Sequence, residues 1–80
     1  MQSTTAQGWA GDAVARDALI LLTQDGNLRA RRTAARVLAE GWPGDAIVHD
    51  ALSGLAREDR HKRVRGAAAR LLAAIREPGN

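Results

Sequence analysis

The chain has no cysteine, phenylalanine or tyrosine, and it carries one lysine, two histidines, two prolines and two tryptophans. Without cysteine there can be neither a disulfide nor a thiolate metal site. The fold must therefore hold by packing alone, and a reducing compartment, the cytoplasm, is the expected location. With Trp9 and Trp42 as the only aromatics, no series of rings is interleaved with the basic residues to stack bases. No apolar run approaches the roughly 18 residues of a membrane-spanning helix. Met1 to Gln7 has neither the basic start nor the apolar stretch of a signal peptide. A chain of 80 residues forms one small domain at most. It buries about 60–65% of the surface its unfolded state exposes, so its stability is modest without help from neighbours.

What is present is alanine, leucine and arginine, all strong helix formers, in a pattern that occurs twice. Gly8-Trp9-Ala10-Gly11-Asp12 near the start is echoed by Gly41-Trp42-Pro43-Gly44-Asp45 at the midpoint. After each copy comes an apolar helical run, an acidic turn and an Arg/Ala-rich run. Trp9 aligns with Trp42, Asp12 with Asp45, Val14 with Ile47, and Asp17-Ala18-Leu19 with Asp50-Ala51-Leu52. After one extra residue in the second turn, Asp25 aligns with Asp59, Ala30-Arg31 with Val64-Arg65, Ala34 with Ala68, and Arg36-Val37-Leu38-Ala39 with Arg70-Leu71-Leu72-Ala73. A period of about 33–34 residues, each unit a helical hairpin, is the signature of a solenoid repeat.

The spacing predicts four helices. The first runs from Ala13 to Gln24 with Asp12 as its cap and Val14, Ala18, Leu21 and Leu22 as its inward stripe. The turn Asp25-Gly26-Asn27 leads to a second helix, Leu28 to Glu40, with Ala30, Ala34, Val37 and Leu38 inward. Gly41 suits the position just past a helix end, and Pro43 forbids continuation. Asp45 caps a third helix, Ala46 to Arg57, with Ile47, Ala51 and Leu55 inward. A fourth, Arg60 to Arg76, carries Val64, Ala68, Leu71, Leu72 and Ile75. The expected organisation is a flexible lead-in at 1–7, one repeat at 8–40, a second at 41–75, and a tail at 76–80 whose Pro78-Gly79-Asn80 reads as the start of a third.

Neither the tetratricopeptide pattern nor the ankyrin Thr-Pro-Leu-His-x-Ala pattern is present. The second helices instead carry Asp-x-x-x-x-Val-Arg-x-x-Ala-x-x-x-Leu: Asp59, Val64, Arg65, Ala68 and Leu72, with Asp25, Ala30, Arg31, Ala34 and Leu38 in the first unit. This resembles the HEAT-like repeats of α-solenoids, over about residues 8–75. The period is shorter than that of most HEAT units, and Ala30 stands where valine is usual. The resemblance implies an all-α fold of two stacked helical hairpins and a non-catalytic scaffold for protein partners. It also implies that Asp25, Arg31, Asp59 and Arg65 form a structural ladder of acid–base pairs within and between units.

Nothing points to catalysis. The two histidines, His49 and His61, are not spaced to share a metal, and no cofactor motif occurs. The aspartates recur in both units, as caps and surface pairs do. Trp9 and Trp42 are expected to pack at the junctions between hairpins, Trp9 being the one with no preceding repeat to cover it. Arg29, Arg32, Arg36, Arg63 and Arg70 fall together beside the second helices' stripes. They form either a solvated face or a basic face for an acidic protein or a nucleic-acid backbone. A hairpin cannot bury its apolar face alone, and stacks usually need more than two units with polar outer caps. The open ends are therefore expected to meet further repeats of a parent chain, a second copy, or another protein. Nucleic acid is the alternative partner, and no membrane is involved.

Overall fold

The computed structural model describes residues 12–76. The expectations for Trp9, the lead-in, and Pro78-Gly79-Asn80 lie outside them. Within that span the chain forms four helices: α1 Ala13–Leu22, α2 Leu28–Gly41, α3 Ala46–Glu58 and α4 Lys62–Arg76. There is no strand among the described residues. The helices pair as two hairpins, α1 with α2 and α3 with α4, and α2 packs along α4 more extensively than α1 along α3. The result is an all-α stack in which the second helices form the more tightly joined side.

Each helix start is set by a side chain that accepts the amides a first turn leaves free. Asp12 Oδ1 accepts from the Val14 amide at 2.8 Å. Asn27 Oδ1 accepts from Arg29 and Ala30 at 2.8 and 3.1 Å. Asp45 Oδ1 accepts from Ile47 and Val48 at 2.8 and 3.2 Å. At α4 the part is taken by His61, whose Nδ1 accepts from the Arg63 amide at 3.1 Å, so α4 begins at Lys62 and not at Arg60. α1 stops at Leu22, two residues early. Thr23 is buried and turns its hydroxyl back onto the Ile20 carbonyl at 2.6 Å. The amides of Gln24 and Asp25 then close a tight turn onto Leu21 and Leu22. Gly41 is the last residue of α2 rather than the residue beyond it. The chain leaves the helix at Trp42, whose amide still reaches the Leu38 carbonyl at 2.9 Å.

The core joins the hairpins. Ala35, Leu38, Ala39 and Trp42 of the first pack with Val48, Leu52, Leu55, Val64, Ala68 and Leu72 of the second. α4 presents the face its periodicity predicts at Val64, Ala68 and Leu72, with Leu71 and Ile75 half-buried. α2 does so at Ala34 and Leu38, but Ala30 and Val37 are only half-buried, and Arg31, Ala35 and Ala39 are buried beside them. α1 does not present its predicted face. Val14 is 76% exposed and Leu21 73%, and Ala18 and Leu22 are also on the outside. The residues of α1 that pack against the core are Ala15, Leu19 and Ile20. In α3 Val48, Leu52 and Leu55 are buried while Ile47 is half exposed and Ala51 is intermediate. α1 is thus turned by about one residue, roughly 100°, from the expected orientation, whereas in α3 Leu55 is inward as expected and Val48 and Leu52 take the places expected for Ile47 and Ala51. The cause is composition. α1 is apolar almost all round, so its periodicity defines two candidate faces, and contact with α2 selects the one through Ala15 and Leu19.

Candidate functional site

Arg31 opens the second turn of α2, and its side chain is 6% exposed. Its Nη1 donates to the Asp25 carbonyl at 2.9 Å, which ties the turn of its own hairpin. Its Nε and Nη2 reach the two carboxylate oxygens of Asp59 in the second hairpin, at 2.9 and 3.3 Å. Asp59 is itself 7% exposed and also accepts from the His61 amide at 2.9 Å. Burial alone would push the Asp59 carboxyl up, but the His61 amide and the Arg31 guanidinium outweigh it and hold the group below its ordinary range. A two-pronged guanidinium–carboxylate contact of this kind fixes direction as well as distance.

The other two ladder residues are placed differently. Arg65 Nη1 donates to the Asp59 carbonyl at 2.7 Å, matching the contact of Arg31 with Asp25. Asp25 Oδ1 accepts from the Asn27 amide at 2.7 Å, matching the contact of Asp59 with His61. No ion pair between Asp25 and Arg65, or between either and another described side chain, accompanies these bonds. Asp25 therefore meets Arg31 through its carbonyl and not through its carboxylate.

A second tie between the hairpins has no precedent in the sequence pattern. Arg16 of α1 reaches Asp45, the cap of α3, at 2.9 Å, and Asp17 at 3.0 Å. The hydrogen bond from Arg16 chiefly, then the Val48 and Ile47 amides, hold the Asp45 carboxyl low against partial burial. Arg16 gains charge stability in return, first from Asp45 and then from Asp17. Asp45 can make both contacts because a cap with two carboxylate oxygens needs only one for the helix amides. His49, the counterpart of Arg16, donates from Nε2 to the Pro43 carbonyl at 2.7 Å within its own hairpin.

Trp42 is 6% exposed and lies in the core beside residues of both hairpins. Arg29, Arg32 and Arg36 of α2 and Arg70 of α4 line one open groove of about 440 Å³, with Thr33 and Leu71 between them. Arg63 does not line it. Arg36 also lies 3.9 Å from Glu40, an exposed pair along one helix face that contributes little. Among the described residues no three His, Cys, Asp or Glu side chains are grouped to hold a metal ion, and no helix is long and apolar enough to cross a membrane.

Stacked helical hairpins of this length, joined through their second helices, define an α-solenoid repeat protein. The family model described as HEAT repeats matches residues 3–79, and the chain belongs to that family. No curated protein and no solved structure matches the chain. HEAT repeats are generally non-catalytic scaffolds that mediate protein interactions.

Proposed function

We propose that this chain is a non-catalytic, cytoplasmic scaffold that binds protein through the open ends of its hairpin stack, self-association included. The observation that carries this is the outer face of α1. Val14, Ala18, Leu21 and Leu22 follow one another at helical spacing and all lie exposed. Isolated exposed apolar residues are ordinary, but a contiguous stripe of this kind marks an interaction surface. The equivalent edge of α3, which has a hairpin beside it, supports this in part: Leu55, the counterpart of Leu22, is only 5% exposed, while Ile47, the counterpart of Val14, is 50% exposed. Sedimentation velocity over a wide range of concentrations tests the proposal. The wild-type chain should gain mass with concentration, and Leu21→Glu should abolish the gain. A wild-type chain that stays at single-chain mass, or a Leu21→Glu variant that assembles equally well, contradicts it.

The arginine groove supports a second reading, binding of a nucleic-acid backbone. The net charge is +3, and four guanidiniums line one groove between α2 and α4. If all four met phosphates on a duplex, a fourfold rise in salt would weaken binding by about a hundredfold. Changing Arg29, Arg32, Arg36 and Arg70 together to Ala should remove it. No binding of generic duplex or single strand at low salt eliminates this reading.

A further inference from the structure

The contact between the two hairpins is a template for a contact between two copies. Along α2, Arg31, Ala35 and Ala39 stand four residues apart on one line, and all three are buried. Arg31 ends that line on Asp59, so the line faces the second hairpin. One repeat later α4 carries the same line as Arg65, Ala69 and Ala73, and there both alanines are exposed. Small side chains on that line let a neighbouring helix approach closely. The complementary edge of the second hairpin includes Ala51, Gly54, Leu55 and Asp59, which line the cleft shared with Arg31. Its first-hairpin counterparts are Ala18, Leu21, Leu22 and Asp25, all exposed. Among the described residues there is therefore one complete junction and, on the outer sides of α1 and α4, the two halves of another. The halves match in chemistry: a guanidinium with alanines on α4, a carboxylate with leucines at α1 and its turn.

They also match in preparation. Arg65 is already held against the Asp59 carbonyl at 2.7 Å, as Arg31 is held against Asp25 at 2.9 Å. Asp25 is already fixed by the Asn27 amide, as Asp59 is by that of His61. Holding both groups in place before contact lowers the ordering cost of association.

We infer that copies of this chain stack head to tail. Arg65 of one copy closes on Asp25 of the next, and the Ala69–Ala73 line of α4 covers Leu21 and Leu22. The inference rests on the open-end reading of the function and names the partner surface for it. Because the two halves lie on different parts of the molecule, the contact is heterologous and continues beyond a dimer unless a rotation closes it.

Sedimentation velocity on the wild type and four variants tests this: Arg65→Asp, Asp25→Arg, the double reversal of both, and Ala69→Glu. Each single reversal sets like charges opposite one another and should weaken self-association by at least about tenfold. The double reversal restores opposite charges across the junction and should recover most of the loss. Ala69 is exposed in the single chain, so Ala69→Glu should leave the helical circular dichroism signal unchanged and abolish assembly. That variant keeps the test sharp if a charge reversal disturbs folding. Assembly of Ala69→Glu at wild-type strength overturns the inference, as does a double reversal no better than either single change. If Leu21→Glu abolishes assembly while Ala69→Glu does not, copies meet through α1 alone. The open-end reading then stands and the head-to-tail geometry falls.

Discussion

Arg31 and Asp59 are 28 residues apart in the chain, and their charged groups meet at 2.9 Å across the junction of the two hairpins. Removing one partner leaves the other buried without its counter-charge. The pair lines an open cleft, so the loss is smaller than in a sealed core. Arg31→Met or Asp59→Leu should each cost about 2–3 kcal/mol. Replacing both should cost less than the two separate losses together, because no lone charge remains. A urea-denaturation double-mutant cycle measures this, and strict additivity would show that the two groups are not energetically coupled.

The same pair, with Arg16 and Asp45, makes the stack sensitive to acid. Both carboxyls titrate below the ordinary aspartate value of 3.8 in the folded chain, whereas the arginines keep their charge. The unfolded chain therefore binds protons first. The stability these carboxylates contribute is complete well above 3.8 and is lost as pH falls through and below it. Thermal melts should move to lower temperature between about pH 5 and pH 2. Asp59→Asn should begin less stable and lose less over the same interval. A variant as acid-sensitive as the wild type would remove Asp59 from this account.

Trp42 fills space that no other residue of the chain can fill, being the sole aromatic among the described residues. It is buried in one cluster with Leu38, Val48 and Leu52. Trp42→Ala should cost about 3–5 kcal/mol, a large share of the total for so small a domain. The check is chemical denaturation followed by circular dichroism. A loss under about 1 kcal/mol would mean that the site collapses around the gap or is already loose.

Gly54 sits within α3, and a methyl group added there would meet nothing within 4 Å. Gly54→Ala should therefore stabilise the chain by about 0.8–1 kcal/mol through helix propensity alone. A destabilised variant would show that the cleft beside Gly54 closes in solution.

The repeat made the architecture legible. Two copies of Gly-Trp-x-Gly-Asp, with period-matched Arg-x-x-Ala stripes, place four helices correctly, and the caps Asp12 and Asp45 can be read directly. The amphipathic second helices disclosed their buried faces in part: fully at Val64, Ala68 and Leu72 of α4, but in α2 the buried line of Arg31, Ala35 and Ala39 escapes the pattern because an arginine heads it. The first helices did so only at Leu55 of α3. From Ala18 to Leu22 α1 is wholly apolar, so hydrophobicity cannot tell core from outer face, and the stripe chosen by spacing turns out to be the exposed one. The ladder was partly visible. Matching Asp25 with Asp59 and Arg31 with Arg65 identifies the residues. Which arginine meets which carboxylate depends on how hairpins stack, a long-range fact that no local pattern contains. The Arg16–Asp45 tie was hidden for the same reason, and Arg63 could not be separated from the groove without the turn of α4.

The central claim is that the outer face of α1 is covered by protein when the chain functions. Amide hydrogen exchange measured at low and at high protein concentration tests it at the residues concerned. Exchange across Val14 to Leu22 should slow as concentration rises, while the α2–α4 junction, already buried, changes little. Equal exchange in α1 at both concentrations, from a sample that has gained mass, would place the contact elsewhere and contradict the claim.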